Sequence, residues 1–85
     1  MPSKVRILLF ASAREAVGRP RLDRPLPEGG TTAQRLLDDL VEEFPRLARV
    51  LSASRIVVNG EPVRAPSTAL GDGDELAIHP PYSGG

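Results

Sequence analysis

An α+β fold, a mixed sheet of about five strands carrying one main helix and a short one, is predicted by three features of the 85-residue sequence. An apolar run of strand length lies near the N-terminus. A long amphipathic stretch occupies the middle, and an Asn-Gly pair further on separates two short β-prone segments.

The first run, Lys4 to Phe10, reads KVRILLF. Val5, Ile7 and Leu9 share one face of a strand, while Leu8 and Phe10 add apolar weight to the other, the pattern of a central strand. Ser12 and Glu15 have the spacing of a capping box, and Gly18 can supply a left-handed stop. A short helix is therefore predicted over Ala13–Val17. Arg19 to Gly30 is rich in proline, glycine and charge, and Pro25 and Pro27 confine any strand at Arg21–Leu26 to a sheet edge.

Thr31 and Gln34 have the spacing of a second capping box. After them Ala33, Leu36, Leu37, Leu40, Val41 and Phe44 follow one helical face, with Arg35, Asp38, Asp39, Glu42 and Glu43 on the other. Pro45 ends the helix. Leu47, Val50 and Leu51 tuck a loop or single turn beneath it. Arg55–Val58 is strand-like, and Asn59-Gly60 is a strong short hairpin signal, with Glu61–Val63 as the partner strand, shortened by Pro62. Gly71-Asp72-Gly73-Asp74 forms a turn into Glu75–Ile78, a last strand in which Leu76 and Ile78 share a face.

The resulting order is strand, strand, helix, strand, strand, strand, with one helix packed on a mixed sheet. That is the order of a β-grasp, ubiquitin-like roll, in which the helix covers the apolar side that a hairpin alone leaves exposed. Residues 1–78 are expected to form this domain and residues 79–85 an extended, flexible tail.

Composition narrows the chemistry. Hydrophobic residues make up 40% and charged residues 26%, a globular balance. A chain of this length buries only about 60–65% of its unfolded surface, which suits a single core. Without cysteine, disulfides, thiolate metal sites and thiol catalysis are excluded. No apolar run approaches the roughly 20 residues of a membrane span, and the N-terminus has no signal-peptide core, so a cytoplasmic protein without a membrane partner is expected. Eleven basic residues balance 11 acidic ones, and Phe10, Phe44 and Tyr82 are the only aromatics. That is a poor platform for nucleic acid, and no nucleic-acid partner is expected. Lys4 is the sole lysine among the basic residues.

No catalytic constellation is visible. His79 has no second histidine or cysteine to work with and is read as structural or solvent-exposed. Asp72, Asp74 and Glu75 crowd one turn but lack EF-hand spacing, and no metal is expected. Ser12, Ser52, Ser54 and Ser67 lack the surroundings of a nucleophile elbow, and the glycines form no phosphate-binding loop.

What remains is the C-terminal run His79-Pro80-Pro81-Tyr82-Ser83-Gly84-Gly85. Two prolines stiffen the exit from the last strand into a polyproline-like course, and seven extended residues reach on the order of 23 Å. Gly84 and Gly85 carry no Cβ, so a narrow tunnel can grip the backbone on every side. A terminal carboxylate is ionised and inert at neutral pH until a nucleotide converts it to an anhydride. A terminal Gly-Gly is often only a frayed end. Following a grasp-like domain and a Pro-Pro step, it points instead to a carrier whose reactive atom is its own C-terminus.

Three blocks carry a resemblance to a known family: LLFASAREAVG (Leu8 to Gly18), VVNGEPV (Val57 to Val63) and LGDGDELAIHPPYSGG (Leu70 to Gly85). Together they resemble the small, sulfur-carrying subunits of molybdopterin synthase, ubiquitin-like sulfur carriers. The specific part is Phe-Ala-x-x-Arg-Glu near the start coupled to Pro-Pro-x-Ser-Gly-Gly at the end. His79 stands where many members have an apolar residue.

The resemblance implies that Gly85 bears the sulfur as a thiocarboxylate, that Gly84 fits a partner's tunnel, and that Pro80, Pro81, Tyr82 and Ser83 direct the tail and touch the partner. It implies three partners: an adenylyltransferase of the ubiquitin-activating type that uses ATP and magnesium, a sulfurtransferase, and the large synthase subunit in a heterotetramer. The chain itself would bind no cofactor and would not be an enzyme alone. The product would be molybdopterin, made by sulfur donation to cyclic pyranopterin monophosphate. Two other readings stay open: a sulfur carrier for thiamine, cysteine or tRNA thiolation, and a ubiquitin-like modifier joined to lysines.

Overall fold

A computed structural model describes residues 3–81. Its main sheet has five strands: β1 (Lys4–Leu9), β2 (Arg21–Pro25), β4 (Arg55–Val58), β5 (Glu61–Pro62) and β7 (Glu75–His79), in the spatial order β2-β1-β7-β4-β5. β1 runs parallel to β7, and the other pairings are antiparallel, so the sheet is mixed. The first and last strands are thus central neighbours. β2, with Pro25 at its end, occupies an edge, as its prolines require.

One face of this sheet is the core. Val5, Ile7, Leu76 and Ile78 are 0% exposed and Leu9 is 2% exposed. They meet Ala33, Leu36, Leu37 and Leu40 of helix α2 (Ala33–Glu43) in a single apolar cluster. Full burial of a leucine or isoleucine side chain contributes about 1.5–3 kcal/mol, so this helix–sheet contact is the chief stabilising element. Phe44 and Val41 sit at its margin, half-buried. At the periphery, the Arg24 guanidinium of β2 donates to Glu43 of α2 at 2.6 Å.

The Asn59-Gly60 turn has φ of 50° and 85°, positive at both central residues. That is the type I′ geometry whose twist matches an antiparallel hairpin, and Val58 pairs with Glu61 across it. β5 is cut to two residues at Pro62, although the Val63 amide still donates to the Ile56 carbonyl at 3.0 Å.

Both capping boxes differ from the sequence expectation. Helix α1 spans Ala11–Val17 with Phe10 as its N-cap, so Ser12 already lies inside the helix and makes no cap with Glu15. Phe10 continues the extended course of β1 (φ −119°, ψ 150°), and Ala11 turns the corner at φ 50°. The strand thus passes into the helix with no loop for Ser12 to close. The stop at Gly18 is as expected: φ is 87° and its N–H donates to the Arg14 carbonyl at 2.7 Å.

In α2 the cap is Thr32 rather than Thr31. Its hydroxyl accepts from the Arg35 amide at 3.1 Å, and Gln34 bonds instead to Asp38 at 2.8 Å. The cause is a second, two-stranded sheet that the sequence did not reveal, formed by β3 (Thr31–Thr32) and β6 (Ala69–Leu70). Its ladder holds Thr32 extended, and the Ala33 amide donates to the Thr68 carbonyl at 2.8 Å. A 3-10 turn at Ala65–Ser67 leads into it. Leu47–Leu51, expected as a loop or single turn, is a five-residue helix, α3, with Leu47 buried. No helix among the described residues is long and apolar enough to cross a membrane.

Candidate functional site

The tail leaves from the middle of the sheet. Leu76, Ala77 and Ile78 are buried, and β7 is bonded on both sides, to β1 and to β4. The strand continues through His79, whose Cα partner is Arg55. Pro80 is half-buried and Pro81 exposed. The remaining site residues, Tyr82, Ser83, Gly84 and Gly85, lie outside the described residues. A strand held by two ladders cannot shift along its axis without breaking both, so the place where the chain leaves the sheet, at Pro80, is well defined.

His79 is half-buried. Its ring stacks on Phe10 with centroids 4.5 Å apart and planes 12° from parallel, a contact of the kind worth about 0.5–1.5 kcal/mol. Phe10 is 41% exposed, the only large hydrophobic side chain so open among the described residues. This pairing was missed in the sequence because it joins opposite ends of the chain. The available signal was the second apolar face of Lys4–Phe10. The strand is central as expected, and on that second face Leu8 is half-buried and Phe10 open.

The acidic turn lies at the far end of β7 and serves the backbone. Asp74 accepts from the Gly71 amide at 2.7 Å and from the Asn59 side-chain amide at 3.0 Å. These two bonds, the Gly71 one foremost, hold its carboxyl below the usual carboxylate value. Asn59 in turn accepts from the Glu75 amide at 3.0 Å, and Asp72 accepts from the Lys4 amide at 3.0 Å. The turn thereby clasps β1, β7 and the β4–β5 hairpin. Ser52, Ser54 and Ser67 donate to carbonyls of Arg49, Val50 and Arg64. Among the described residues no grouping of three histidine or acidic side chains is suited to a metal.

A mixed sheet wrapped on one principal helix, with its central last strand running into Pro80-Pro81, defines a β-grasp domain of the ubiquitin-like class. The chain belongs to the ThiS family, whose profile matches residues 7–85. It is 45% identical over 82 residues to the molybdopterin synthase sulfur carrier subunit of Arabidopsis thaliana, a match covering 96% of this chain and 83% of the plant protein. The protein of the same name from Dictyostelium discoideum is 34% identical over the full length of both chains. Among solved structures, the small archaeal modifier protein 1 of Haloferax volcanii superimposes with a TM-score of 0.80 at 30% identity, covering 94% of this chain and 99% of that one.

Proposed function

We propose that this chain is the sulfur-carrying subunit of a molybdopterin synthase and that Gly85 bears the sulfur as a thiocarboxylate. The supporting observation is likeness that is nearly chain-long: 45% identity over 96% of the chain to a sulfur carrier subunit, within a family match that extends to residue 85.

The chemistry follows from the tail. A carboxylate is a poor acceptor for sulfur until AMP is joined to it. A ubiquitin-activating-type adenylyltransferase supplies AMP from magnesium-bound ATP, releasing pyrophosphate. Sulfur delivered by a sulfurtransferase then displaces AMP from the Gly85 carbonyl carbon. The charged tail enters the large subunit and donates its sulfur to cyclic pyranopterin monophosphate, and two such transfers complete the dithiolene of molybdopterin. In this scheme Pro80, Pro81, Tyr82 and Ser83 direct and contact, and Gly84 passes the narrowest part of the tunnel. A thiocarboxylate hydrolyses in water, so enclosure by the partner both protects and positions it. The side chains that assist transfer belong to the large subunit, and the reaction takes place in the cytoplasm.

Intact mass after incubation with the adenylyltransferase, ATP, magnesium and a sulfur source should rise by the difference between a sulfur and an oxygen atom. The charged chain plus the large subunit should then form molybdopterin. Undiminished molybdopterin formation by a chain lacking Gly84 and Gly85 would overturn the proposal. The likeness to the archaeal modifier supports a second reading, conjugation to lysines. Stable adducts on target lysines, without the sulfur mass gain, would favour it.

A further inference from the structure

The sheet face opposite α2 has two unlike halves. Far from the tail, its charges neutralise one another: Arg6 lies 3.6 Å and Lys4 3.8 Å from Asp23. Near the tail, strand alternation and register put Leu8, Ala77 and Val57 side by side, with Phe10 and the His79 ring one step further on. Two hollows flank the Phe10–His79 stack. One, of about 420 Å³, is bounded by Leu8, Phe10, Arg14 and Arg21. The other, of about 560 Å³, is bounded by Arg55, Val57, Pro62 and Pro80.

Every charged residue lining these hollows is an arginine: Arg14, Arg21 and Arg55. Among the described residues none of these three is in an ion pair. In a chain with equal numbers of acids and bases, this is a local segregation of charge. An apolar partner alone would leave those guanidinium groups desolvated and unpaired, which is unfavourable. Carboxylates placed around an apolar centre would instead be met by planar, bidentate donors. The surface is also continuous with Pro80, so whatever receives the tail lies against it.

Resting on the sulfur-carrier reading, we propose that Arg14, Arg21 and Arg55 select the partner. They fit a large-subunit surface with an apolar centre, seated on Phe10 and His79, and a rim of carboxylates. Charges at such a rim act mostly on association rate and salt dependence.

The test is binding of the full chain to its large subunit at increasing salt, for the wild type, Arg21→Glu/Arg55→Glu, Arg14→Glu and a control, Arg35→Glu, on the exposed side of α2. The double reversal should weaken binding by at least about tenfold at low salt, chiefly through slower association, and remove the salt dependence. Arg21→Lys/Arg55→Lys should retain most of the rate, and the control should match the wild type. If a Glu variant shows a lowered melting temperature, the Gln variants carry the comparison. Wild-type affinity and salt dependence in the double reversal would overturn the inference while leaving sulfur loading, measured separately by mass, to support the functional reading. Failure of the wild type to bind the large subunit would overturn both. Binding to a random-sequence DNA duplex lost in the same variants, without change toward the large subunit, would reassign the arginines to nucleic acid and overturn the inference.

Discussion

Asp74 shows how a carboxylate in a suggestive cluster can be committed to structure. In the sequence it crowds one turn with Asp72 and Glu75, without the spacing of a calcium loop. In the fold its two oxygens receive donors from Gly71 and Asn59. Its pKa is therefore lowered from 3.8 in the folded chain, by the Gly71 bond first. The sign is fixed by linkage: a group with a depressed folded pKa stabilises fully above its unfolded pKa, and that contribution is lost as pH falls through the folded value. Urea unfolding across the acid range should show stability falling below the ordinary carboxylate value, with a shallower fall in Asp74→Asn. An unchanged acid limb in the variant would mean the bonds are absent. Gly18 is a second single-position case. Its φ of 87° leaves open space where a Cβ would stand, so Gly18→Ala should cost about 1 kcal/mol through backbone strain alone, read as a shift in the urea midpoint.

The helices and turns were legible where their signals are local. The amphipathic register of α2, the stop at Gly18 and the Asn59-Gly60 turn depend on residues within a few positions, and each falls where its pattern placed it. The capping boxes did not, because a cap depends on how the chain enters the helix. Thr31 and Thr32 compete for that role with equal side chains, and pairing of both with Ala69–Leu70 decides for Thr32. Thr32→Ala should accordingly cost about 1 kcal/mol in chemical denaturation, and Thr31→Ala distinctly less. Two-residue strands such as β3 and β6 carry no readable period, which is why the small sheet and the shift it imposes were invisible.

The assembled domain concentrates its stabilising contacts in one layer. The α2–sheet core carries the stability. Leu40 is 1% exposed at its centre, and Leu40→Asp should unfold the chain, since an unpaired charge there has no partner. Circular dichroism with wild-type melting would refute that packing. Among the described residues the buried core ends at Ile78, before the Gly84-Gly85 pair in sequence. The truncated chain should melt as the wild type does, yet take up no sulfur in the mass assay.

Local pattern was enough to predict the order of α2 and the main-sheet strands, the buried side of α2 and the hairpin turn, because each depends on neighbours along the chain. Which strands lie side by side is a different kind of fact. The parallel pairing of β1 with β7 brings Phe10 against His79. The register of β2 and β4 then adds Arg21 and Arg55 beside them. These residues are dispersed through the sequence, and only burial of the opposite sheet face under α2 brings them together as one surface at the root of the tail.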